Sequence, residues 1–452
     1  MRRLRAWLSR VFAPGSPRTA ALLFLGIFLF CGISPVNTSF DSRWTVFIAL
    51  NLWRHQHAYL DDFDAQMRAW DYYALECIES SGRTSQTQVC DGHWYTIYPL
   101  AGPVLSAPLI FAQLAILRPL QPLLSRFHPA NPVIDGFIHA QPEAGYPLFE
   151  KEAAAFLVAL ATVLIYLIAR GYLTDGRAVL LALLFGLGTS AFSIAARALW
   201  QHTWSIFLLA LIIYMLERAR QVPSLAARAG IPVSISYTVR PTNALFVVVF
   251  TLYVAFRHRR QLPAYLLAAA PVAAVFFASN WSIYHKLFSG YQTSMAVSMP
   301  DFARSLNALA GNLISPARGV LIFTPIFGFS IVSLAKRSWR SPLAPWLAVL
   351  VLAHFIVVSI VTTTWWAGHS YGQRYLADTI PIFILGLIPV LQRWETTSGV
   401  LRIAFAVFAL AGLAIHQRGG WSGAVHEWNA TPVNVDQHTE RVWDWRDPPW
   451  LR

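Results

Sequence analysis

Charge is scarce in this 452-residue chain. Charged residues make up only 13% of the sequence, whereas hydrophobic residues make up 56% and the mean hydropathy is +0.47. Soluble globular domains carry about 25% charged residues. The composition therefore excludes an ordinary soluble protein and predicts an integral membrane protein with a lipid bilayer as its surroundings.

Acidic residues are scarcer than basic ones, at 22 against 35, which gives a formal net charge of +13. An excess of positive charge can indicate nucleic-acid binding, but here the basic residues lie in short segments that flank apolar runs. No soluble segment shows a basic stripe with interleaved aromatic residues. We therefore predict no nucleic-acid partner and attribute the charge to membrane topology.

Several sequence motifs are absent. The chain has no Walker loop, dinucleotide-binding fingerprint, GxSxG elbow or HExxH motif, so nucleotide-driven chemistry lacks support. Heptads, low-complexity segments and internal repeats are also missing. No small-residue cleavage site follows the first apolar run, residues 20–33, which predicts an uncleaved first transmembrane helix.

Only three cysteines occur in the chain. Cys31 lies in the first apolar run, whereas Cys77 and Cys90 lie in the polar region that follows it. Their spacing favours a disulfide in an oxidising compartment over a zinc site, which would need further ligands close by.

Long apolar runs predict an all-α polytopic membrane protein. A transmembrane helix needs about 20 apolar residues, and about eleven spans result, with the exact number around 226–256 left open. Residues 100–117 contain prolines and a glycine and are interpreted as a juxtamembrane helix instead. The predicted spans are 20–33, 153–169, 178–196, 204–216, 230–239, 244–256, 264–284, 320–334, 345–361, 380–391 and 403–415.

Connections between the spans fall into two alternating sets. One set is rich in arginine, as in the segments around Arg170, Arg218 and Arg257, and the positive-inside rule makes these loops cytoplasmic. The other set carries the motifs FDSRW, RALWQHT, VRPTN, SPARG and WWAGHSYGQRYL, which we place on the external face. The expected organisation is a transmembrane domain at 1–416, with a long first external loop at 38–151 and a short external tail at 417–452. The tail's tryptophans, Trp421, Trp428, Trp443, Trp445 and Trp450, are expected to anchor it at the membrane interface.

Asp41 is the first candidate for chemistry. It precedes a predicted surface helix over 44–60, so its carboxylate is either the N-cap of that helix or a general base or metal ligand at the membrane boundary. Asp61, Asp62 and Asp64 could bind a cation, although such a cluster is more typical of a solvated loop.

A second set of candidates is cationic, and each member lies at the predicted external end of a helix. Five cations on the side that the positive-inside rule disfavours predict a pocket for an anion, and phosphate fits best because guanidinium groups bind it in a bidentate way. His202 and His369 each lie near a tryptophan, and a structural role is as probable for them as a catalytic one. The five cations are Arg197, Arg240, Lys286, Arg318 and Arg374.

With these motifs in their order, the chain resembles GT-C-type glycosyltransferases, the superfamily of protein O-mannosyltransferases and bacterial aminoarabinose transferases. The resemblance runs from the first helix to about residue 391 and is nearest to uncharacterised bacterial members. It depends on Asp41 at the start of a long external loop, on Tyr98 with Pro99 and Leu100, and on the RALWQH, RPTN and WWAGHSYGQRYL segments.

The resemblance implies a GT-C-like helix bundle and a polyprenyl-phosphate-linked sugar as donor. It also implies an external active site in the plasma membrane of a bacterium, a glycan, lipid or protein acceptor, and an inverting reaction. By carry-over Asp41 is the base, and the five cations selected above are expected to bind the donor phosphate. Ser42 departs from the mannosyltransferase pattern of two adjacent acidic residues, so no cofactor is certain and Mg²⁺ or Mn²⁺ stays open, with Asp61 and Asp62 as candidate ligands. The further candidates are Tyr98, His202, Tyr291, Trp366, His369 and Tyr371.

Two other classes stay open. A transporter or flippase for a lipid-linked or anionic substrate would be expected to show repeated halves, broken helices and ionisable residues near the bilayer midplane. Another membrane transferase, such as a polymer ligase, is the third interpretation. The clustering of polar motifs at one face favours glycosyl transfer.

Overall fold

A computed structural model of the protein describes residues 17–37, 40–85, 90–293, 301–362 and 364–452. These residues are mostly helical. The longer helices are α1 Pro17–Gly32, α2 Trp44–Arg54, α3 Asp64–Ala69, α4 Ala101–Leu124, α5 Pro132–Ile138, α6 Pro142–Ala169, α7 Asp175–Leu187, α8 Gln201–Arg218, α9 Gly230–Val239, α10 Ala244–Arg257, α11 Leu262–Tyr284, α12 Phe302–Ile314, α13 Phe327–Ala335, α14 Ala344–Ile360, α15 Ile380–Leu385 and α16 Gly399–Trp421. Short helices lie at Ser190–Ser193, Ser224–Arg228, Gly290–Thr293, Val320–Phe323, Ile388–Gln392 and Ala424–Glu427.

Six helical segments of the described chain are long and apolar enough to cross a membrane. They support an all-α membrane protein and a bilayer environment, but they do not confirm the predicted count of eleven. Pro17–Gly32, Pro241–Arg257 and Ala344–Ile360 are apolar but shorter. The six segments are Ala101–Leu124, Pro142–Ala169, Asp175–Ser193, Arg259–Tyr284, Arg374–Gln392 and Gly399–Trp421.

The bundle has a clear inside and outside. The most apolar windows of α6 and of Arg374–Gln392 are 67% and 83% buried, whereas those of Arg259–Tyr284 and α16 are 6% and 17% buried. The helix α6 packs against α1, α7 and α8 at the centre. Helices that are apolar yet exposed can lie against lipid, since lipid tails are as apolar as their side chains.

Two predicted spans are interrupted. Residues 320–334 form Val320–Phe323 and α13, with a break at Thr324 and Pro325, because proline removes a backbone donor and crowds the preceding turn. Residues 380–391 form α15 and Ile388–Gln392, which are separated by Gly386 and Leu387.

The segment at 100–117, by contrast, is more regular than predicted. Its prolines and glycine argued against a continuous span, yet it belongs to the single 24-residue helix α4, with Pro108, Pro119 and Pro122 inside it. Pro103 lies in the first turn, where a missing N–H costs nothing.

The predicted first external loop also contains β-structure, which the all-α prediction missed. Strands β1 Leu75–Glu79, β2 Thr84–Ser85 and β3 Gly92–Thr96 form an antiparallel sheet in the order β2-β1-β3. A Cys77–Cys90 disulfide closes this unit, which confirms the predicted pairing. The predicted surface helix over 44–60 is shorter, as α2, and its residues 44–51 are buried by protein.

The C-terminal tail folds back on the bundle. Trp428 is fully buried, and its ring lies 4.2 Å from the guanidinium carbon of Arg441. Trp450 Nε1 donates to the Pro316 carbonyl at 2.9 Å. The expected interfacial anchor is therefore wrong for Trp428, which packs inside the protein, whereas Trp421 and Trp445 are exposed.

Candidate functional site

A polar cavity of about 370 Å³ lies where three helices begin. Trp44 of α2, Gly102 of α4 and Gln201 of α8 all line it, and each is the first or second residue of its helix.

 The aligned peptide dipoles of a helix leave partial positive charge and free N–H groups at its N-terminus. The N-termini of α2, α4 and α8 therefore all lie at one cavity, which favours an anionic ligand.

Asp41 lies in the turn before α2 and lines this cavity. Its Oδ1 accepts a hydrogen bond from the Tyr73 hydroxyl at 2.9 Å, and its Oδ2 accepts one from Arg374 Nη1 at 2.8 Å. The N-cap of α2 is Arg43, without a side-chain cap bond. The N-cap interpretation of Asp41 is therefore wrong, and the carboxylate is held by tertiary partners.

Two opposing effects act on the Asp41 carboxyl group. Burial on its own raises the pKa of this group, because water no longer stabilises the charge. The Arg374 guanidinium and hydrogen bonds from Tyr73, Arg374 and Tyr98 outweigh burial and lower the pKa below its ordinary value. Burial and the charge of Asp41 in turn raise the pKa of Tyr73 to about 12, so its hydroxyl stays a donor. Asp41 is thus an ionised carboxylate at neutral pH.

Arg374 owes its position to the loop before it. Gly372 has φ +77°, and a Cβ at that position would meet the Phe323 ring at 2.8 Å, so the turn requires glycine. The Gln373 side chain then accepts from Tyr375 N at 3.1 Å and caps the 3₁₀ turn that carries the arginine. The guanidinium carbon of Arg374 lies 4.5 Å from the Trp200 ring centroid, which holds the cation flat against the cavity wall.

A buried carboxylate contacts two residues of the cavity lining. Asp378 is fully buried, and its Oδ2 lies 2.8 Å from Arg240 Nε. Its Oδ1 lies 3.0 Å from His202 Nδ1, which leaves the other ring nitrogen of His202 for the cavity. Arg240 and His202 both line the cavity, so Asp378 orients two of its polar groups.

Six of the residues selected from the sequence meet at this cavity. They come from six separate segments of the chain, and Tyr98 and Tyr291 are in edge contact with ring centroids 5.6 Å apart. The six are Asp41, Tyr98, His202, Arg240, Tyr291 and Arg374.

Three of the five predicted phosphate-binding cations do not line the cavity. Arg318 is fully buried and donates to the carbonyls of Trp366 and Gly368 at 2.7 and 3.0 Å. Arg197 is buried and donates to the Cys31 carbonyl at 3.0 Å, whereas Lys286 is exposed. The structure therefore leaves Arg240 and Arg374 as the cavity's guanidinium groups.

The remaining candidates of the WWAGHSYGQRYL segment also lie elsewhere. Trp366 Nε1 donates to Asp436 Oδ1 at 2.7 Å, and the Tyr371 hydroxyl donates to the Ile415 carbonyl at 2.8 Å. His369 Nε2 lies 3.0 Å from Asn434 Oδ1. These three residues fasten the loop to the C-terminal segment and shape the site indirectly.

The acidic cluster near α3 has protein partners. Asp61 Oδ1 accepts from Trp94 N at 2.8 Å, and Asp62 Oδ2 accepts from the Asn51 side chain at 3.0 Å. These bonds fasten the loop to β3 and α2. Asp61 and Asp62 therefore have structural partners, and their role as metal ligands stays a prediction.

An apolar groove of about 520 Å³ adjoins the polar cavity. Pro99 lines both, so they meet at the start of α4. The groove runs between α4 and the C-terminal half of α11. Mainly apolar side chains line it: Leu100, Val104, Leu105, Val272, Val275, Phe276 and Ile283.

Sequence reasoning missed several residues of the site. Tyr73 lies in no motif, whereas Trp200 and Tyr375 lie in the RALWQHT and WWAGHSYGQRYL motifs but were not selected from them. Asp378 did offer a signal, because a carboxylate beside an apolar run is costly in a membrane unless it has a partner and a role.

Comparison with protein-family models, with curated proteins and with solved structures finds no match to this chain.

Proposed function

We propose that this protein is a membrane glycosyltransferase. It transfers a sugar from a polyprenyl-phosphate-linked donor to a hydroxyl group of a glycan, lipid or protein acceptor. One observation carries the proposal: a polar cavity with a carboxylate and two guanidinium groups opens beside an apolar groove, and the two share Pro99. Such a pair of cavities suits one amphiphile with a charged head and a long apolar tail.

The cavity has the features that a phosphate requires. Arg374 and Arg240 supply fixed positive charge, and guanidinium groups bind phosphate oxygens in pairs. The N-termini of α2, α4 and α8 add partial positive charge and N–H donors. The cavity volume, about 370 Å³, lies within the range typical of small-ligand sites.

The groove suits the lipid part of the donor. A polyprenyl tail that leaves the bilayer for a protein groove gains little hydrophobic free energy, because both surroundings are apolar. The groove therefore selects the tail by packing and directs the phosphate towards Arg374. Its wall from α11 belongs to a segment that is only 6% buried by protein, so the groove is open to lipid.

The proposed reaction needs one base and a stabilised leaving group. The acceptor oxygen forms a bond to the anomeric carbon on the face opposite the phosphate, and the bond from that carbon to the phosphate oxygen breaks. Asp41 takes the hydroxyl proton, while polyprenyl phosphate leaves with the electron pair, stabilised by the arginines. Attack from the opposite face inverts the anomeric configuration.

A divalent cation is not required by this arrangement. Among the described residues, Asp41 is the acidic side chain in the cavity lining, and it is already paired with Arg374. A Mg²⁺ or Mn²⁺ ion would have to share that carboxylate with the donor phosphate. We propose that Arg374 and Arg240 take the charge-neutralising role instead.

We further propose that the site faces the periplasm from a bacterial inner membrane. The Cys77–Cys90 disulfide lies in the same external region as Tyr73 and Tyr98, and disulfides persist in oxidising compartments.

The direct test uses purified protein in lipid nanodiscs with radiolabelled polyprenyl-phosphate sugars. We expect the sugar to leave the lipid and to appear in an acceptor fraction from bacterial envelopes, or slowly in water. Asp41→Asn should abolish this release, and Asp91→Asn, an exposed carboxylate in the same region, should not. Failure to consume any of a panel of hexose and pentose donors would contradict the proposal.

A transporter is the second candidate, and two observations favour it. Helices break at Pro325 and at Gly386, and Asp378 forms a buried ionisable cluster with Arg240 and His202, as transporters often show. Because this cluster orients side chains of the same cavity, it is equally accounted for by the transferase. Movement of an intact lipid-linked substrate across proteoliposomes, without cleavage of its sugar–phosphate bond, would favour the transporter.

A further inference from the structure

Outside the polar cavity, two histidines and one carboxylate converge on the turn between α4 and α6. His128 follows the end of α4, Asp135 lies in α5, and His139 caps α5 one helical turn later. One ligand atom from each of the three residues lies within 4.8 Å of the other two. Histidine nitrogen and carboxylate oxygen together are typical zinc ligands.

The distances within this group match a tetrahedral site. His128 Nδ1 lies 3.4 Å and His139 Nδ1 lies 3.3 Å from the same oxygen, Asp135 Oδ1. Ligands of tetrahedral zinc with bonds of 2.0–2.1 Å are separated from one another by about 3.3 Å. These two separations agree with the spacing of ligands that share a zinc ion.

Hydrogen bonding explains the same geometry less well. An N–H···O bond has its usual separation near 2.9–3.0 Å, and Asp135 Oδ1 is buried without a hydrogen-bond partner among the described residues. The rings of His128 and His139 are stacked with centroids 5.0 Å apart and planes 13° apart. This arrangement brings both imidazoles to one side of the carboxylate.

We infer that His128, Asp135 and His139 form a zinc-binding site. Two imidazoles and one carboxylate leave a fourth position for water, as in other three-ligand zinc sites. His139 Nδ1 also lies 2.9 Å from the Asp135 carbonyl oxygen, so the metal and this hydrogen bond are alternatives for the same nitrogen. The bound ion would tie the turn after α4 to α5.

The site can be tested without any assay of glycosyl transfer. Zinc binding to the tag-free, chelator-treated full chain in detergent is measured by isothermal titration calorimetry with zinc chloride. His128→Ala removes a side chain that is 72% exposed and is expected to fold, and Asp135→Asn removes the shared oxygen's charge. The matched control is His438→Ala, because His438 Nδ1 also lies 3.2 Å from a carboxylate, Glu440, but without a second histidine.

We expect the wild type and His438→Ala to bind zinc alike. Loss of an outer-shell partner typically weakens metal binding by roughly 10- to 100-fold. Both ligand variants should lose more zinc affinity than that. The inference is overturned if the wild type binds no zinc, or if His128→Ala binds it as tightly as the wild type. Neither result would bear on the proposed glycosyl transfer.

Discussion

At the residue scale, the contact between Asp41 and Arg374 constrains the order of events. A carboxylate paired with a guanidinium is a weak base, because proton uptake would break the pair. In the proposed reaction, the donor phosphate competes for Arg374 and thereby frees Asp41 to accept the proton. Donor binding would then activate the base.

Substitutions of Asp41 and of Arg374 should therefore affect different steps of the reaction. Asp41→Asn keeps the side-chain size but removes the base, so transfer should fall by about 100-fold or more while donor affinity is nearly retained. Arg374→Ala should weaken donor binding and slow the reaction as well. Turnover and donor affinity measured on both variants separate the roles, and an Asp41→Asn protein that is folded and fully active would rule out the mechanism.

The same ion pair predicts a pH effect. Arg374 lowers the pKa of Asp41 and burial raises it, so Arg374→Gln removes the lowering effect and leaves the raising one. The base then becomes protonated at a higher pH, and the acidic limb of the profile of kcat/KM against pH should move upwards.

Arg83→Gln is the control for this shift, because Arg83 is an exposed cation of the same predicted loop, residues 38–151. Its profile should superimpose on that of the wild type. An acidic limb that stays in place in Arg374→Gln would show that Asp41 is not the group that controls it.

At the scale of elements, the site depends on how helix ends are joined. Asp378 connects the start of α8 through His202, the turn before α10 through Arg240, and α14 through His354, whose Nε2 lies 3.8 Å from Asp378 Oδ2. A carboxylate with no exposure can stay ionised only while these partners remain. The network thus makes the cavity wall and the packing of three helices interdependent.

Removal of this carboxylate should be costly for the fold. Asp378→Ala leaves the guanidinium of Arg240 buried without its counter-charge, and loss of one partner of a buried pair typically costs about 3–5 kcal/mol. Denaturant titration in detergent micelles measures the change in the free energy of unfolding. Asp436→Ala, in which the lost carboxylate is half exposed, is the control, and equal effects of the two substitutions would contradict the structural role of Asp378.

At the scale of the whole molecule, loops of the same predicted set contact one another. Among the arginine-rich connections, Tyr172 donates to Glu217 at 2.5 Å, and Gln392 donates to the Tyr172 carbonyl at 3.2 Å. Among the motif-bearing connections, Asp41 meets Arg374 and Arg240 meets Asp378. Contacts within each set are expected from an alternating passage through a bilayer.

Topology reporters test this arrangement directly. Fusions of reporters that are active in only one compartment, placed after His258 and after Arg452, should give opposite signals, because the first position lies in an arginine-rich loop and the second in the external tail. Matching signals would mean that the number of spans between the two positions is even rather than odd.

Patterns close together in the chain were enough for several conclusions. Hydropathy alone identifies the membrane class, since a bilayer selects apolar runs wherever they pack. The spacing of Cys77 and Cys90 indicated their disulfide. Asp41 and Arg374 were selected as polar groups next to predicted membrane boundaries, where a functional role is a reasonable expectation.

Tertiary structure decided how these groups combine. Asp41 and Arg374 are 333 positions apart in the chain, and no local pattern encodes a contact across that distance. Packing also determined that Arg318 donates hydrogen bonds to backbone carbonyls, whereas Arg374 lines the cavity. Local sequence shows which side chains can carry charge or cross a membrane, but the partners that neutralise, orient or expose each charge come from distant helices, and only the folded chain brings them together.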